Sequence, residues 1–228
     1  MTWVKICGMT NLEDALTAVE AGADAVGFVF YEKSPRNISV EAAREIVEKL
    51  PEGVEKVGVF VDAKSERIRE VVIGAGLTAV QLHGKQSTES VLEDPRTVAE
   101  CEAVPKVIVM IHGDSLKDGG RFMGNGMLLK TFAVLLDSRS NEACGGTGTK
   151  FDWEATRDIV RGMSQRLPVI VAGGLTPENV SDAMGGLKPW GVDVVSGVEA
   201  RPGKKDPEKV RAFVRAVRAA EKFCDGGG

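Results

Sequence analysis

Cysteine is scarce and dispersed. Cys7, Cys101, Cys144 and Cys224 show no C-x-x-C spacing, and only His83 and His112 could add imidazole ligands. That scatter argues against a disulfide framework and against a structural zinc site. Aromatic residues make up only 5% of the chain, few for the stacking platforms that hold single-stranded nucleic acid. Positive charge is not in excess either: the net charge is -4 and the pI about 5.4, so no nucleic-acid partner is expected. Apolar runs such as 25–30 and 133–136 fall far short of the roughly 20 residues that span a bilayer, and the first residues lack the apolar core of a signal peptide. A cytoplasmic protein without a membrane partner is therefore expected.

What the chain does have is length and glycine. With 228 residues and 43% hydrophobic content it can bury a substantial core, and residues 1–228 read as one domain. Twenty-seven glycines suit tight turns and close backbone approaches of the kind found around phosphates, so a small phosphorylated molecule is the expected partner.

Short apolar runs rich in β-branched residues alternate with longer amphipathic stretches, the pattern of parallel strands covered by helices. Eight strands are predicted at 4–6, 25–30, 56–61, 79–82, 106–110, 133–136, 169–172 and 192–195. Helices are predicted at 11–20, 40–49, 65–74, 87–101, 153–161, 177–184 and 207–222, with Asn11 and Ser39 as N-caps and Thr176 capping a start at Pro177. The segment Ala21-Gly22-Ala23-Asp24-Ala25-Val26 recurs 54 residues on as Ala75-Gly76-Leu77-Thr78-Ala79-Val80, glycine ending a helix before a strand opens. If that offset spans two strand-helix units, each is about 27 residues, and eight fill the chain as a closed α/β barrel rather than an open sheet. The fifth covering helix is the weak place. Residues 113–130 hold Gly119-Gly120 and Gly124-Asn125-Gly126, which points to a helix that is short, irregular or replaced by loop.

In such a barrel the residues just after each apolar run converge on one mouth. Gly173-Gly174 and Ser196-Gly197 follow strands seven and eight, where bare backbone amides can hold a phosphate. Either pair alone reads equally as a tight turn; two of them at this end of one barrel favour phosphate. Cys7 precedes Gly8 and the capped helix start at Asn11, so a helix-end dipole is expected to favour its thiolate, a possible general base; the alternative is a small buried apolar residue. Asp137 ends the run Ala133-Val134-Leu135-Leu136, and a carboxyl at such an apolar rim can keep its proton and donate it; a cap or salt bridge is the plainer role. A thiol and a carboxyl facing each other across the mouth suit enolisation beside a carbonyl or imine. Arg36, stiffened by Pro35, offers a guanidinium fork for a carboxylate unless it is simply solvated. His83 alternates with Gln81 at the end of strand four and points toward the mouth, as a substrate contact or a structural histidine. Asp193 lies on strand eight. Gly145-Gly146-Thr147-Gly148 after strand six has the composition of a closing lid.

These segments resemble the phosphoribosylanthranilate isomerase family from Lys5 to about Glu221. The likeness rests on Lys5-Ile6-Cys7-Gly8-Met9-Thr10, Gly27-Phe28-Val29-Phe30 through Ser34-Pro35-Arg36, Val57-Gly58-Val59-Phe60 and Gln81-Leu82-His83-Gly84. It continues through Leu136-Asp137, Gly145-Gly146-Thr147-Gly148 with Phe151-Asp152-Trp153, Ala172-Gly173-Gly174-Leu175, and Gly191-Val192-Asp193 through Ser196-Gly197-Val198-Glu199 to Pro202-Gly203-Lys204-Lys205-Asp206. The cysteine is the most telling, because the similar isomerases of histidine biosynthesis carry aspartate there. The resemblance implies a (β/α)8 TIM barrel that catalyses an Amadori rearrangement in tryptophan biosynthesis, with no metal or organic cofactor, as a monomer or homodimer. It implies Asp137 as general acid and Cys7 as general base, Arg36 on the anthranilate carboxylate, Asp193 and His83 on the sugar, and the amides of Gly173, Gly174, Ser196 and Gly197 on the phosphate. Val195 departs from the serine often found there, and residues 113–130 depart from the usual fifth unit. Two other functions compete. The histidine-pathway isomerase would need a second phosphate site, for which no strong glycine pair follows strands three or four; a phosphate-binding module without turnover would bind ligand and consume none.

Overall fold

In the computed structural model, residues 1–84, 106–112, 131–137 and 153–224 are described. Eight strands lie in chain order: β1 (Trp3–Cys7), β2 (Ala25–Phe30), β3 (Glu55–Val61), β4 (Ala79–His83), β5 (Lys106–His112), β6 (Ala133–Asp137), β7 (Val169–Ala172) and β8 (Gly191–Val194). Each pairs in parallel with the next, and β8 pairs with β1 to close the barrel. The expected fold class is the observed one.

Six described helices accompany the strands: α1 (Leu12–Glu20), α2 (Val40–Val47), α3 (Ser65–Ala75), α4 (Trp153–Ser164), α5 (Val180–Leu187) and α6 (Pro207–Cys224). Asn11 caps α1 by accepting from the Asp14 amide at 3.0 Å, and Ser39 caps α2 by accepting from the Ala42 amide at 3.2 Å. Gly22 and Gly76, the repeated glycines, adopt φ of 96° and 68°, the left-handed conformation that lets the chain leave α1 and α3 toward the next strand. One start differs from expectation. The Thr176 amide donates to Asn179 Oδ1 at 2.8 Å and Asn179 Nδ2 donates to the Gly174 carbonyl at 3.0 Å, so the segment around Pro177 is a turn and α5 begins at Val180. The helix predicted at 87–101, the irregular unit at 113–130 and the loop at 145–148 lie outside the described residues.

Side chains alternate between the two faces of the barrel wall. Val4 and Ile6 of β1 join the large core between strands and helices, while Ala25, Val57, Ala79, Ile108, Met110, Ala133, Leu135, Ile170 and Ala172 form a separate cluster inside the barrel. By the same alternation Lys5 and Cys7, Gln81 and His83, Asp137 and Asp193 also point inward. The interior is thus packed below and polar above, and the polar layer is the site.

Candidate active site

At the C-terminal ends of the strands a cavity of about 190 Å³ is lined by Cys7, Arg36, His83, Asp137 and Asp193 together with the Gly173-Gly174 and Ser196-Gly197 turns. Every site residue read from the sequence therefore borders one space. β6 stands three strands from β1 around the barrel by way of β8 and β7, so Asp137 and Cys7 belong to different walls of it.

Cys7 is 4% exposed and registers with Gly27 on β2. A Cβ at position 27 would stand 2.5 Å from the sulfur, so the bare backbone there makes room for the thiol. Burial pushes the Cys7 thiol above its ordinary value; the Lys5 charge opposes that rise and Asp193 adds to it. This corrects the expectation of a thiolate favoured by a helix end. α1 begins only at Leu12, and the sulfur sits inside the barrel wall, where burial is the largest influence on it.

Lys5 is fully buried two residues before Cys7. Its Nζ donates to Asp193 Oδ1 at 2.8 Å and to Gln81 Oε1 at 2.9 Å, joining β1 to β8 and β4 beneath the cavity. Burial alone would lower its pKa, but Asp193 and Cys7 outweigh that and hold it above the ordinary lysine value. His83 and Asp137 end β4 and β6 half-buried.

Arg36 is held by Glu199: Nε donates to Oε1 at 2.8 Å and Nη2 to Oε2 at 2.6 Å. Lys205 shares that carboxylate at 3.3 Å and donates to the Val195 carbonyl at 3.0 Å. Burial would raise the Glu199 carboxyl, yet the Arg36 bonds and the Lys205 charge bring it below its ordinary value. Burial pulls Lys205 below the usual lysine range even beside Glu199.

Gly173 and Gly174 have φ of 94° and 66°, a pair of left-handed residues that L side chains rarely match. At Gly197 a Cβ would come within 1.9 Å of the Leu175 carbonyl oxygen, so the β7 and β8 turns approach too closely for any side chain. Among the described residues the amides of Gly174, Ser196 and Gly197 have no acceptor, leaving donors at the cavity wall.

The chain that carries this cavity is similar to known proteins along nearly its whole length. A sequence model described as N-(5'phosphoribosyl)anthranilate (PRA) isomerase matches residues 4–216. The chain belongs to the phosphoribosylanthranilate isomerase family. It is 44% identical over 218 residues to the N-(5'-phosphoribosyl)anthranilate isomerase of Geotalea uraniireducens (strain Rf4), covering 96% of this chain and 99% of that one. The crystal structure of phosphoribosyl anthranilate isomerase from Thermotoga maritima superposes with a TM-score of 0.80 at 42% identity, over 96% of this chain and all of that one. A further phosphoribosyl anthranilate isomerase structure, in complex with reduced 1-(o-carboxyphenylamino)-1-deoxyribulose 5-phosphate, gives 0.73 at 39% identity over 96% of this chain and all of that one.

Beside the site of this phosphoribosylanthranilate isomerase fold, the buried charges Lys5, Glu199 and Lys205 had no role expected from sequence. Lys5 carried a usable signal, since period two along β1 puts it on the same inward face as Cys7, and an inward lysine demands a partner. Glu199 and Lys205 carried none, because their partner Arg36 is 163 residues from Glu199 along the chain.

Proposed function

We propose that this chain converts N-(5-phosphoribosyl)anthranilate into 1-(2-carboxyphenylamino)-1-deoxyribulose 5-phosphate, the Amadori rearrangement of tryptophan biosynthesis, in the cytoplasm and as a monomer or homodimer. The observation that carries the reading is one cavity bordered by Cys7 on β1, Asp137 on β6 and the glycine turns after β7 and β8. Asp137 donates its proton to the furanose ring oxygen as the C1–O bond breaks, and the nitrogen lone pair forms the C1=N bond of an open-chain iminium. Cys7, as thiolate, takes the C2 proton; that electron pair forms C1=C2 and the C1=N electrons return to nitrogen. A proton then adds at C1 and the C2 hydroxyl loses one, leaving the ketone with no net gain or loss of atoms.

The other residues bind. Arg36 holds the anthranilate carboxylate. Asp193 and His83 contact the sugar hydroxyls, and the backbone of Gly173, Gly174, Ser196 and Gly197 receives the phosphate. Lys5 lies close enough to the thiol for its ammonium to favour the thiolate that the second step needs.

The test generates the phosphoribosyl anthranilate in situ and follows its fluorescence with and without the protein. Consumption that depends on the protein is expected; none would overturn the reading. Cys7→Ala and Asp137→Asn should each lose about 10²- to 10⁴-fold in kcat while folded, and a folded variant that keeps kcat removes that residue from the chemistry.

A further inference from the structure

After the 3-10 turn Ser196–Val198, a two-stranded antiparallel hairpin of β9 (Glu199–Arg201) and β10 (Lys204–Lys205) stands apart from the barrel sheet, and the reaction above makes no use of it. It is tied to the loop after β1 and to the first turn of α1. Thr10 Oγ1 donates to the Gly203 carbonyl at 2.5 Å, and Asp14 accepts from the Lys205 amide and from Lys204 Nζ, both at 2.7 Å. It also packs on the Arg36 loop, since a Cβ at Gly203 would lie 3.1 Å from the Pro35 carbonyl oxygen.

What these ties fix is the Glu199 carboxylate, which is 4% exposed in its side chain and collects Arg36 Nε, Arg36 Nη2, Lys205 Nζ and the Gly203 amide. Glu199 thereby occupies the side edge of the guanidinium. A guanidinium has five N–H donors in a rigid plane, so with two engaged, two of the remaining three lie along the end formed by Nη1 and Nη2 and the third points back beside Cδ. Among the described residues nothing accepts from Nη1, and Arg36 borders the cavity. The stem is held as well: a Cβ at Gly8 would stand 2.8 Å from Arg36 Cδ, so the chain lies flat on Gly8. Two cations share one anion here, which leaves a single surplus positive charge beside the cavity.

We propose that Glu199 is a positioning residue which, with Lys205 and the hairpin, turns the end edge of Arg36 toward the aryl ring of the substrate and so sets the preference for a carboxylated arylamine over a plain one. This rests on the proposed reaction and adds a specificity device to it. Glu199 aims the fork and excludes the side-on approach. Lys205 keeps Glu199 from cancelling the charge that the substrate carboxylate meets.

The experiment uses the full chain and two substrates, the phosphoribosyl amines of anthranilate and of aniline, each made by condensing the arylamine with ribose 5-phosphate. The ratio of their kcat/KM values is the readout. Glu199→Gln should lower that ratio at least about tenfold, the loss falling on KM for the anthranilate compound rather than on kcat. A ratio equal to wild type, with both substrates slowed alike, would make Glu199 a loop tie and overturn the proposal. Should Glu199→Gln not fold, Lys205→Met reads the same ratio with the Arg36 pair intact, and again a fall supports the proposal and an unchanged ratio overturns it. A wild-type protein that turns over neither compound defeats the proposed reaction and this inference with it; an active wild type with an unmoved ratio defeats only the inference.

Discussion

The two ends of the barrel are built from the same eight strands and could hardly differ more. At the N-terminal end Trp3 stacks on Trp190 at 5.4 Å and Phe132 meets Trp190 edge-on at 5.6 Å, above small interior residues such as Ala25, Ala79 and Ala133. At the C-terminal end Lys5, Asp193, Glu199 and Lys205 are all buried, with Arg36 beside them. Ring contacts contribute area and modest pair energies, and Lys106, whose ammonium lies 5.0 Å from the Phe132 centroid, stays 42% exposed in its side chain. Buried ion pairs gain little net stability, yet losing one partner is costly. One end therefore stabilises the barrel, and the other tolerates unfavourable burial because chemistry needs charge held in a dry, fixed place.

The largest test of that contrast is Lys5→Met. It leaves Asp193 buried without its cation and should cost about 3–5 kcal/mol in chemical denaturation. A cost no larger than an ordinary surface change would mean that the mouth is not the expensive end. Next comes pH. The working base is a thiolate, and burial holds the Cys7 thiol above its ordinary value, so kcat/KM should rise with pH, approaching tenfold per unit, with its half-point above that of an ordinary thiol. A pH–rate profile already flat at neutrality would mean that the Lys5 charge overrides burial. The smallest effect belongs to the other end: Trp190→Ala should cost about 1 kcal/mol in thermal unfolding and leave kcat/KM as it was. A kinetic effect there would show that the two ends are coupled.

Much of this was legible beforehand because the signals were local. β2 and β7 occupy the predicted 25–30 and 169–172, and the inward parity of Cys7, His83 and Asp137 follows from strand alternation alone. Where a decision depended on which side-chain bond wins locally, or on distant chain, it was not legible. Pro177 looks like a first helical residue, yet Asn179 reaches back to Thr176 and Gly174 and holds a turn until Val180. The thiol was expected to be acidified by a helix end, which neglects the desolvation that only the closed wall imposes. Arg36 reads as a solvated loop arginine or a ligand holder, and nothing near it in sequence announces Glu199.

The hairpin ties have a temporal side. Thr10 meets Gly203 across 193 residues of chain and Asp14 meets Lys205 across 191. Contacts of such separation close late, because nearly the whole loop between them must first be ordered. A polypeptide leaving the ribosome from its N-terminus thus carries Arg36 and Asp14 without their partners until Glu199 and Lys205 have emerged. Early release short of Glu199 would yield a nascent barrel whose guanidinium has nothing to brace it.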